Sequence, residues 1–384
     1  MSRERERPRS DTDRLPEVPR TAMKTHQTVL FGDSRSMTAL EADSVDLVVT
    51  SPPYPMIKMW DGVFAAMNPD VGKELEAGRG KVAFELMHRE LDRAWLESFR
   101  LLKPGSIACI NIGDAVRTIK GDFQMYPNHS RITAGLVATG FTPLPDIVWR
   151  KPTNSPTKFM GSGMLPAGAY VTYEHEYILL FRKGLKRSFE SGREKQNRRM
   201  SAFFWEERNK WFSDVWTDLV GSSQSLDEEE ARFRSAAFPF ELAFRLICMH
   251  SVYGDTILDP FLGTGTSLAG AAAAGRNGIG VEIDPGFSGI IERTIEEALS
   301  SGQERLRRRL REHADFIRNR QQSGSITGHS NGHYDFPVMS GQENEIRLYM
   351  PSRLERIGPG RFEIDYSEAD LQGELWPIPE SGNH

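Results

Sequence analysis

The residues Ser51-Pro52-Pro53-Tyr54 follow directly after the apolar run at residues 45–49. Consecutive prolines fix the backbone φ angles, which makes the turn rigid, and they leave carbonyl groups pointing outward without partners. The Ser51 hydroxyl and the Pro52 carbonyl can accept hydrogen bonds from an exocyclic amine, and the Tyr54 ring can stack on a planar base. We therefore take all four as candidate catalytic residues; the alternative is a rigid turn with a packed tyrosine.

A second loop at residues 259–266, with the sequence Asp-Pro-Phe-Leu-Gly-Thr-Gly-Thr, lies between a predicted strand and a predicted helix. Its glycines, Gly263 and Gly265, let the backbone approach a ligand closely. A dinucleotide fingerprint would need glycine where Leu268 stands, and a P-loop would need a lysine that this loop lacks. Glu282, at the end of the next predicted strand, can bind ribose hydroxyls. The pattern favours a nucleoside ligand without a pyrophosphate; the alternative is a tight turn beside an incidental surface carboxylate.

Strands and helices alternate around both loops, which predicts a doubly wound, mostly parallel α/β sheet. The nearly continuous apolar run at 45–49, which Asp46 interrupts, is typical of a parallel strand covered on both faces. Strands are predicted at residues 28–31, 45–49, 107–112, 146–149, 177–181, 256–258 and 278–281, and helices at 81–102, from 239 onward, and at 266–274, 287–300 and 305–320.

Composition divides the chain into five segments. Residues 1–25 are predicted to be a disordered tail, 26–183 and 236–320 the two halves of one domain, 184–235 an insertion outside the main sheet, and 321–384 a linker with an acidic C-terminal segment. No apolar run approaches the roughly 18 residues of a membrane span, and the two cysteines, Cys109 and Cys248, cannot form a disulfide framework. We therefore expect a cytoplasmic protein.

The two loops together strongly resemble the amino-group DNA methyltransferases, and the catalytic loop precedes the cofactor loop as in the circularly permuted β class of that family. The resemblance covers roughly residues 28–300. It implies a circularly permuted, seven-stranded, Rossmann-like methyltransferase sheet that binds S-adenosylmethionine. It also implies a target base flipped out of double-stranded DNA, a prokaryotic, nucleoid-associated location and a target-recognition role for residues 184–235.

The resemblance also implies roles for residues outside the two loops. Asp33 would lie near the adenine of the cofactor, and Phe238-Pro239 would begin a helix on the cofactor side. The predicted cofactor-binding set is therefore Asp33, Phe238, Pro239, Asp259, Phe261, Gly263, Gly265, Thr266 and Glu282. No metal is implied.

The residue before Pro-Pro indicates the target atom. Adenine enzymes of this family usually carry Asp or Asn there, so Ser51 favours cytosine N4 and leaves adenine N6 as the alternative. Methylation at carbon 5 uses a Pro-Cys nucleophile, whereas Cys109 follows Ala108 and Cys248 follows Ile247.

DNA contacts are predicted in the basic stretch at 183–210, which holds nine Lys/Arg and four Asp/Glu. The candidates for phosphate contacts are Lys186, Arg187, Arg198 and Arg199; the alternative is a solvated charged loop. A cognate restriction endonuclease is a further expected partner, and the sequence leaves the oligomeric state, monomer or homodimer, open. Competing hypotheses are a non-catalytic nucleic-acid-binding protein that kept the cofactor fold, and methylation of an RNA or a protein amide.

Overall fold

The computed structural model describes residues 23–151, 160–219, 238–324 and 328–369. The strands are β1 (Lys24–Phe31), β2 (Val45–Thr50), β3 (Leu102–Ile112), β4 (Ala115–Ile119), β5 (Asp122–Tyr126), β6 (Phe141–Pro143), β7 (Ile147–Arg150), β8 (Met160–Gly161), β9 (Ala169–Tyr170), β10 (His175–Lys183), β11 (Val215–Trp216), β12 (Thr256–Asp259), β13 (Asn277–Glu282), β14 (His329–Ser330), β15 (Pro337–Val338), β16 (Tyr349–Gly358) and β17 (Arg361–Glu368). The helices are α1 (Asp61–Met67), α2 (Pro69–Glu76), α3 (Gly80–Leu101), α4 (Asn128–Thr139), α5 (Gly192–Met200), α6 (Trp205–Trp211), α7 (Phe240–His250), α8 (Thr266–Ala273) and α9 (Ser288–Gln322).

One large sheet organises the molecule, in the order β11-β7-β10-β3-β2-β12-β13-β1-β17-β16, with β6 pairing to β10. Its central strands β3, β2, β12, β13 and β1 are parallel, and β10 is antiparallel to both β3 and β7. The predicted doubly wound fold is confirmed, with seven strands from β7 to β1 at its centre. The sheet also contains four strands that were not predicted: β6, β11, β16 and β17. Short strands and a charged hairpin have little of the apolar pattern by which strands are predicted from a sequence.

Helices cover both faces of the sheet, and strand β2 shows how the sequence specifies this. All six of its residues are buried. Leu47 and Val49 pack into a cluster that includes Leu242 of α7, whereas Val48 packs into a cluster that includes Met87 of α3. Successive side chains of a strand point to opposite faces, so this buried and mostly apolar strand lies between two helical layers.

The parallel strands give the sheet two functionally different edges. Phe31, Thr50, Asp259 and Glu282 end their strands at one edge, which we call the carboxyl edge. The opposite edge, where β1, β2, β12 and β13 begin, is the amino edge. In open α/β sheets ligands bind at the carboxyl edge.

Helix α9 is one continuous element of 35 residues, whereas two helices separated near Gly302 were predicted. A Cβ atom at Gly302 would lie 2.9 Å from the Cβ of Ala273. This glycine therefore permits close packing against α8 and does not end the helix. In the basic run that follows, Arg305 binds Glu241 and Arg309 binds Glu207, and both arginines are buried. These two cations hold helices together, so they are not available to DNA.

The acidic C-terminal segment predicted to follow a linker contains the hairpin β16–β17, and β17 pairs antiparallel with β1. Phe362 and Ile364 of β17 are buried. The hairpin therefore covers the edge of β1, which would otherwise expose unpaired backbone groups. Strand β1 begins at Lys24, inside the predicted tail; residues 1–22 and 370–384 lie outside the described residues.

Residues 184–235 were predicted to stand outside the main sheet, and the structure corrects this for the described part, residues 184–219. Strand β11 joins the sheet beside β7. Phe204, Trp211 and Trp216 are buried in the same cluster as Leu242. Large aromatic side chains anchor the segment to the core because each removes a large apolar area from water. The acidic run at 227–230 lies outside the described residues. Within the described ranges, no helix is long and apolar enough to cross a membrane.

Candidate active site

The loop at residues 51–54 follows β2 at the carboxyl edge, and its side chains are tied together by hydrogen bonds. The Tyr54 hydroxyl accepts one from Ser51 Oγ at 3.2 Å and one from Asn111 Nδ2 at 2.8 Å. It donates to Glu176 Oε2 at 2.9 Å. Burial and the Glu176 carboxylate raise the pKa of Tyr54 well above its usual value. The phenol therefore stays protonated and acts as a fixed donor to Glu176.

Glu176 is the centre of this network. Its Oε2 also accepts from Asn111 Nδ2 at 2.7 Å, and its Oε1 accepts from Lys151 Nζ at 2.9 Å. A Cβ at Gly113 would lie 3.2 Å from Tyr54 Cε2 and 3.3 Å from Glu176 Cγ. The tyrosine and the carboxylate are thus fixed from several sides, which is the preorganisation that a catalytic site needs.

Asp259 joins the catalytic loop to the cofactor loop. Its Oδ1 accepts from Thr50 Oγ1 at 2.6 Å and from the Phe261 amide at 3.0 Å, and its Oδ2 accepts from Ser267 Oγ at 2.5 Å. Burial raises the pKa of Asp259 to about 6, although these donors oppose the shift. Both carboxylate oxygens are engaged inside the protein, so Asp259 positions the two loops.

The glycines of the cofactor loop have different functions. Gly263 has φ +54°, and its amide donates to Glu282 Oε2 at 2.8 Å. Glu282 Oε1 accepts from the Asp284 amide at 3.0 Å, and burial raises the pKa of Glu282. A carboxylate has about four acceptor sites, so Glu282 can still accept from ribose hydroxyls. Gly265 has φ +91° and packs near Ile291, where it shapes the turn before α8.

A cavity of about 370 Å³ lies between the two loops, and a wall formed by α1 and the turn before it closes one side. This volume is within the range of small-molecule sites. Most of the predicted site residues line it; Pro239 and Gly265 are not among the lining residues. The predicted residues that line the cavity are Asp33, Ser51, Pro52, Pro53, Tyr54, Phe238, Asp259, Phe261, Gly263, Thr266 and Glu282.

Asp33 lies at the cavity beside a partner that sequence reasoning missed. Arg35 Nε donates to both carboxylate oxygens of Asp33, at 3.0 and 2.9 Å, and Arg35 also binds Glu90. The Arg35 guanidinium holds the pKa of Asp33 below its usual value. Asp33 is therefore an ionised acceptor at the cavity wall.

The four predicted DNA contacts lie at the amino edge, on the far side of the sheet. Arg187 binds Asp255 at 2.6 Å and lies near Asp46, just after the start of β2. Thr50, which precedes the catalytic loop, is four residues further along that strand, or about 13 Å. Lys186, Arg198 and Arg199 line the same separate cavity as Arg187. These residues therefore lie about one strand length from the catalytic loop, and their contact with DNA stays a prediction.

Three residues of this network were not predicted as site residues, although the position of each in the sequence offered a hint: Asn111, Lys151 and Glu176. Asn111 is a polar residue within the apolar strand β3, and Lys151 directly follows β7. Glu176 is a charged residue near the start of the largely apolar strand β10. The sequence did not indicate that β10 pairs with β3 and β7. This pairing brings the three side chains to Tyr54.

A family model described as DNA methylase matches residues 45–293. Over 353 residues the chain is 49% identical to the Type II methyltransferase M.MthZI of Methanothermobacter thermautotrophicus, covering 92% of this chain and 98% of that relative. Over 282 residues it is 48% identical to the Type II methyltransferase M.MjaI of Methanocaldococcus jannaschii, covering 71% and 91%.

Among solved structures, the chain resembles a putative DNA modification methylase of Thermus thermophilus, crystallised with S-adenosyl-L-methionine. The TM-score is 0.55 at 33% identity, over 71% of this chain and 96% of that one. The family match spans both loops of the candidate site and the sheet that carries them. The chain therefore belongs to the DNA methylase family.

Proposed function

We propose that this chain is a site-specific methyltransferase that transfers a methyl group from S-adenosylmethionine to the N4 amine of a cytosine flipped out of duplex DNA. The observation that carries the proposal is the Ser51–Tyr54–Glu176 network directly beside the cofactor-type cavity. The two archaeal relatives are named Type II methyltransferases. We therefore also propose that a cognate restriction endonuclease accompanies the chain.

The cavity fits a nucleoside-type methyl donor. Glu282 offers acceptor capacity for ribose hydroxyls, and the Gly263 turn leaves open space for a close approach of ligand atoms. Asp33 supplies a second acceptor, and Phe261 an apolar surface. S-adenosylmethionine, when bound, supplies an electrophilic methyl group on a positively charged sulfur.

The catalytic loop binds the target amine. Because the Ser51 hydroxyl hydrogen points to Tyr54, the lone pairs of Ser51 Oγ are free to accept an amine N–H. The Pro52 carbonyl can accept the second N–H. These two acceptors orient the nitrogen lone pair toward the methyl group and stabilise the positive charge that develops on nitrogen.

The network also provides a route for the proton that the methylated amine must lose. Ser51 donates to Tyr54, and Tyr54 donates to Glu176, so a chain of hydrogen bonds leads from the amine to a carboxylate. Transfer along this chain would leave the proton on Glu176, from which it can pass to solvent. No metal ion is required for this step.

Ser51 also supports cytosine over adenine as the target. A serine hydroxyl has one donor hydrogen and two acceptor lone pairs, whereas the carboxylate usual in adenine enzymes offers only acceptors. Lys151, bound to Glu176 at the cavity, also brings a donor that a ring acceptor of cytosine can use. Adenine N6 remains the alternative because it too presents an amine and a ring acceptor.

The deciding experiment is expression in a bacterial host without DNA methylation, followed by genome sequencing that reports modified bases and their context. We expect N4-methylcytosine at one short recurrent sequence. N6-methyladenine would keep the enzyme class and overturn the assignment of the base. Absence of modified bases, from protein shown to bind S-adenosylmethionine, would favour a non-catalytic nucleic-acid-binding protein or a non-DNA substrate.

A further inference from the structure

The hairpin formed by β8 and β9 carries two large apolar side chains at its tip. Met164 is 84% exposed and Leu165 is 69% exposed. The tip is nevertheless defined by local bonds: Ser162 Oγ donates to the Leu165 carbonyl at 2.5 Å, and the Ser162 amide donates to the Gly168 carbonyl at 2.9 Å. Exposed apolar side chains in an ordered turn gain nothing in the free protein, which points to a bound partner.

The hairpin lies near the catalytic network at the carboxyl edge. It connects the end of β7 to the start of β10, and Glu176 is the second residue of β10. At its base, Tyr170 stacks on Phe123 of β5 with ring centroids 4.8 Å apart. The Tyr173 hydroxyl contacts Met125 Sδ at 2.7 Å. The hairpin is thus supported by its neighbour β4–β5.

The reach of the hairpin suits a duplex held at the cavity. If it were fully extended, the chain from Tyr170 to Leu165 would span about 17 Å, so the roughly 8.5 Å depth of a major groove lies within the upper limit of its reach. Arg150, at the entry to the hairpin, is exposed and pairs with the partly exposed Glu174 at 3.2 Å. Such a surface pair is weak, so the guanidinium can contact a phosphate instead.

On the proposed function, the target base leaves the helical stack and creates a gap. Proteins that enter base steps insert apolar wedges, among them leucine and methionine. We propose that Met164 and Leu165 enter the duplex and occupy the space left by the flipped base. The hairpin would then stabilise the flipped state by keeping the vacated site filled.

The test compares two DNA substrates that contain the target sequence found by genome sequencing. One is an intact duplex; the other has an abasic site opposite the target base, which lowers the cost of flipping. The variant is Met164→Ala/Leu165→Ala. We expect kcat/KM on the intact duplex to fall by roughly 10- to 100-fold, the scale of unstacking one base step. On the abasic duplex it should stay within about threefold of the parent.

Val171→Ala is the matched control, because Val171 is 82% exposed yet lies beyond β9. It should match the parent on both substrates. A fluorescent analogue at the target position gives a second readout: the fluorescence increase on binding should be smaller in the double variant.

An equal loss of kcat/KM on both substrates, or no loss on either, would overturn the proposal that Met164 and Leu165 enter the duplex. The inference rests on the proposed function, and the two failures can be told apart. A parent protein that methylates neither substrate would contradict the proposed function itself, and the wedge would fall with it.

Discussion

The Thr50 hydroxyl donates a 2.6 Å hydrogen bond to Asp259 and so links the end of β2 to the end of β12. The residues on either side of this contact belong to the two loops that form the cavity. Since both residues are buried, the bond lies in a medium of low dielectric, where it is strong and costly to leave unmade. Together with the pairing of β2 and β12, this contact therefore helps to fix the relative position of the catalytic and cofactor loops.

Asp259→Asn should change how stability depends on pH. The pKa of Asp259 in the folded protein is about 6, above its value of 3.8 in an unfolded chain. The folded state therefore binds more protons in this window, so the free energy of unfolding falls as pH rises from about 4 to 6 and then levels off. Between pH 5 and 6 we expect the parent to lose about 1 kcal/mol relative to the variant. Urea denaturation at pH 5, 6, 7 and 8 measures this; parallel curves would refute the shifted pKa.

Ser51→Ala should lower kcat by roughly 100-fold, the scale for removal of one transition-state hydrogen-bonding group. Affinity for S-adenosylmethionine should stay within about twofold, because Ser51 contacts the amine in the proposed complex and not the ribose. Single-turnover methylation and calorimetric titration separate these quantities. A large loss of cofactor affinity with unchanged kcat would contradict the assignment of Ser51.

Glu176→Gln keeps the shape of the side chain but removes the charge at the end of the Ser51–Tyr54 hydrogen-bond chain. We expect kcat to fall by about 10- to 100-fold, as for loss of a proton acceptor, with little change in the binding of DNA. The pH dependence of kcat should also change. Glu174→Gln is a suitable control, because Glu174 lies on the surface and binds Arg150. Identical pH–rate profiles for parent and Glu176→Gln would exclude Glu176 as the proton acceptor.

Arg187→Ala should reduce stability and leave DNA binding intact. The variant would leave the buried Asp255 without its cationic partner, which costs about 2–4 kcal/mol of unfolding free energy. The slope of log affinity for DNA against log salt should not change, because that slope counts phosphate contacts. Lys186→Ala should change neither quantity. A smaller slope of log affinity against log salt in both variants would instead indicate that the amino edge contacts DNA.

The sequence by itself determined the two loops and the layers that carry them. The backbone conformation at Pro52-Pro53 and at the Gly263 turn follows from local preferences of these residue types. Both loops could therefore be predicted from the sequence. The nearly continuous apolar run of β2 likewise indicated that both of its faces are covered. The match to the DNA methylase family model agrees with the resemblance seen in the two loops. In the structure, most of the predicted cofactor-binding residues line one cavity with Ser51.

Only the tertiary structure decided which distant residues complete the site and which do not. Glu176 and Asn111 reach Tyr54 because β10 inserts antiparallel between β3 and β7. Arg187 faces the amino edge because Asp255 binds it there. The composition gives the number of charged residues. It does not distinguish a cation that binds a buried carboxylate from one that is available to bind a phosphate. That distinction depends on strand order and ion pairing between residues far apart in the chain, and no local preference encodes it.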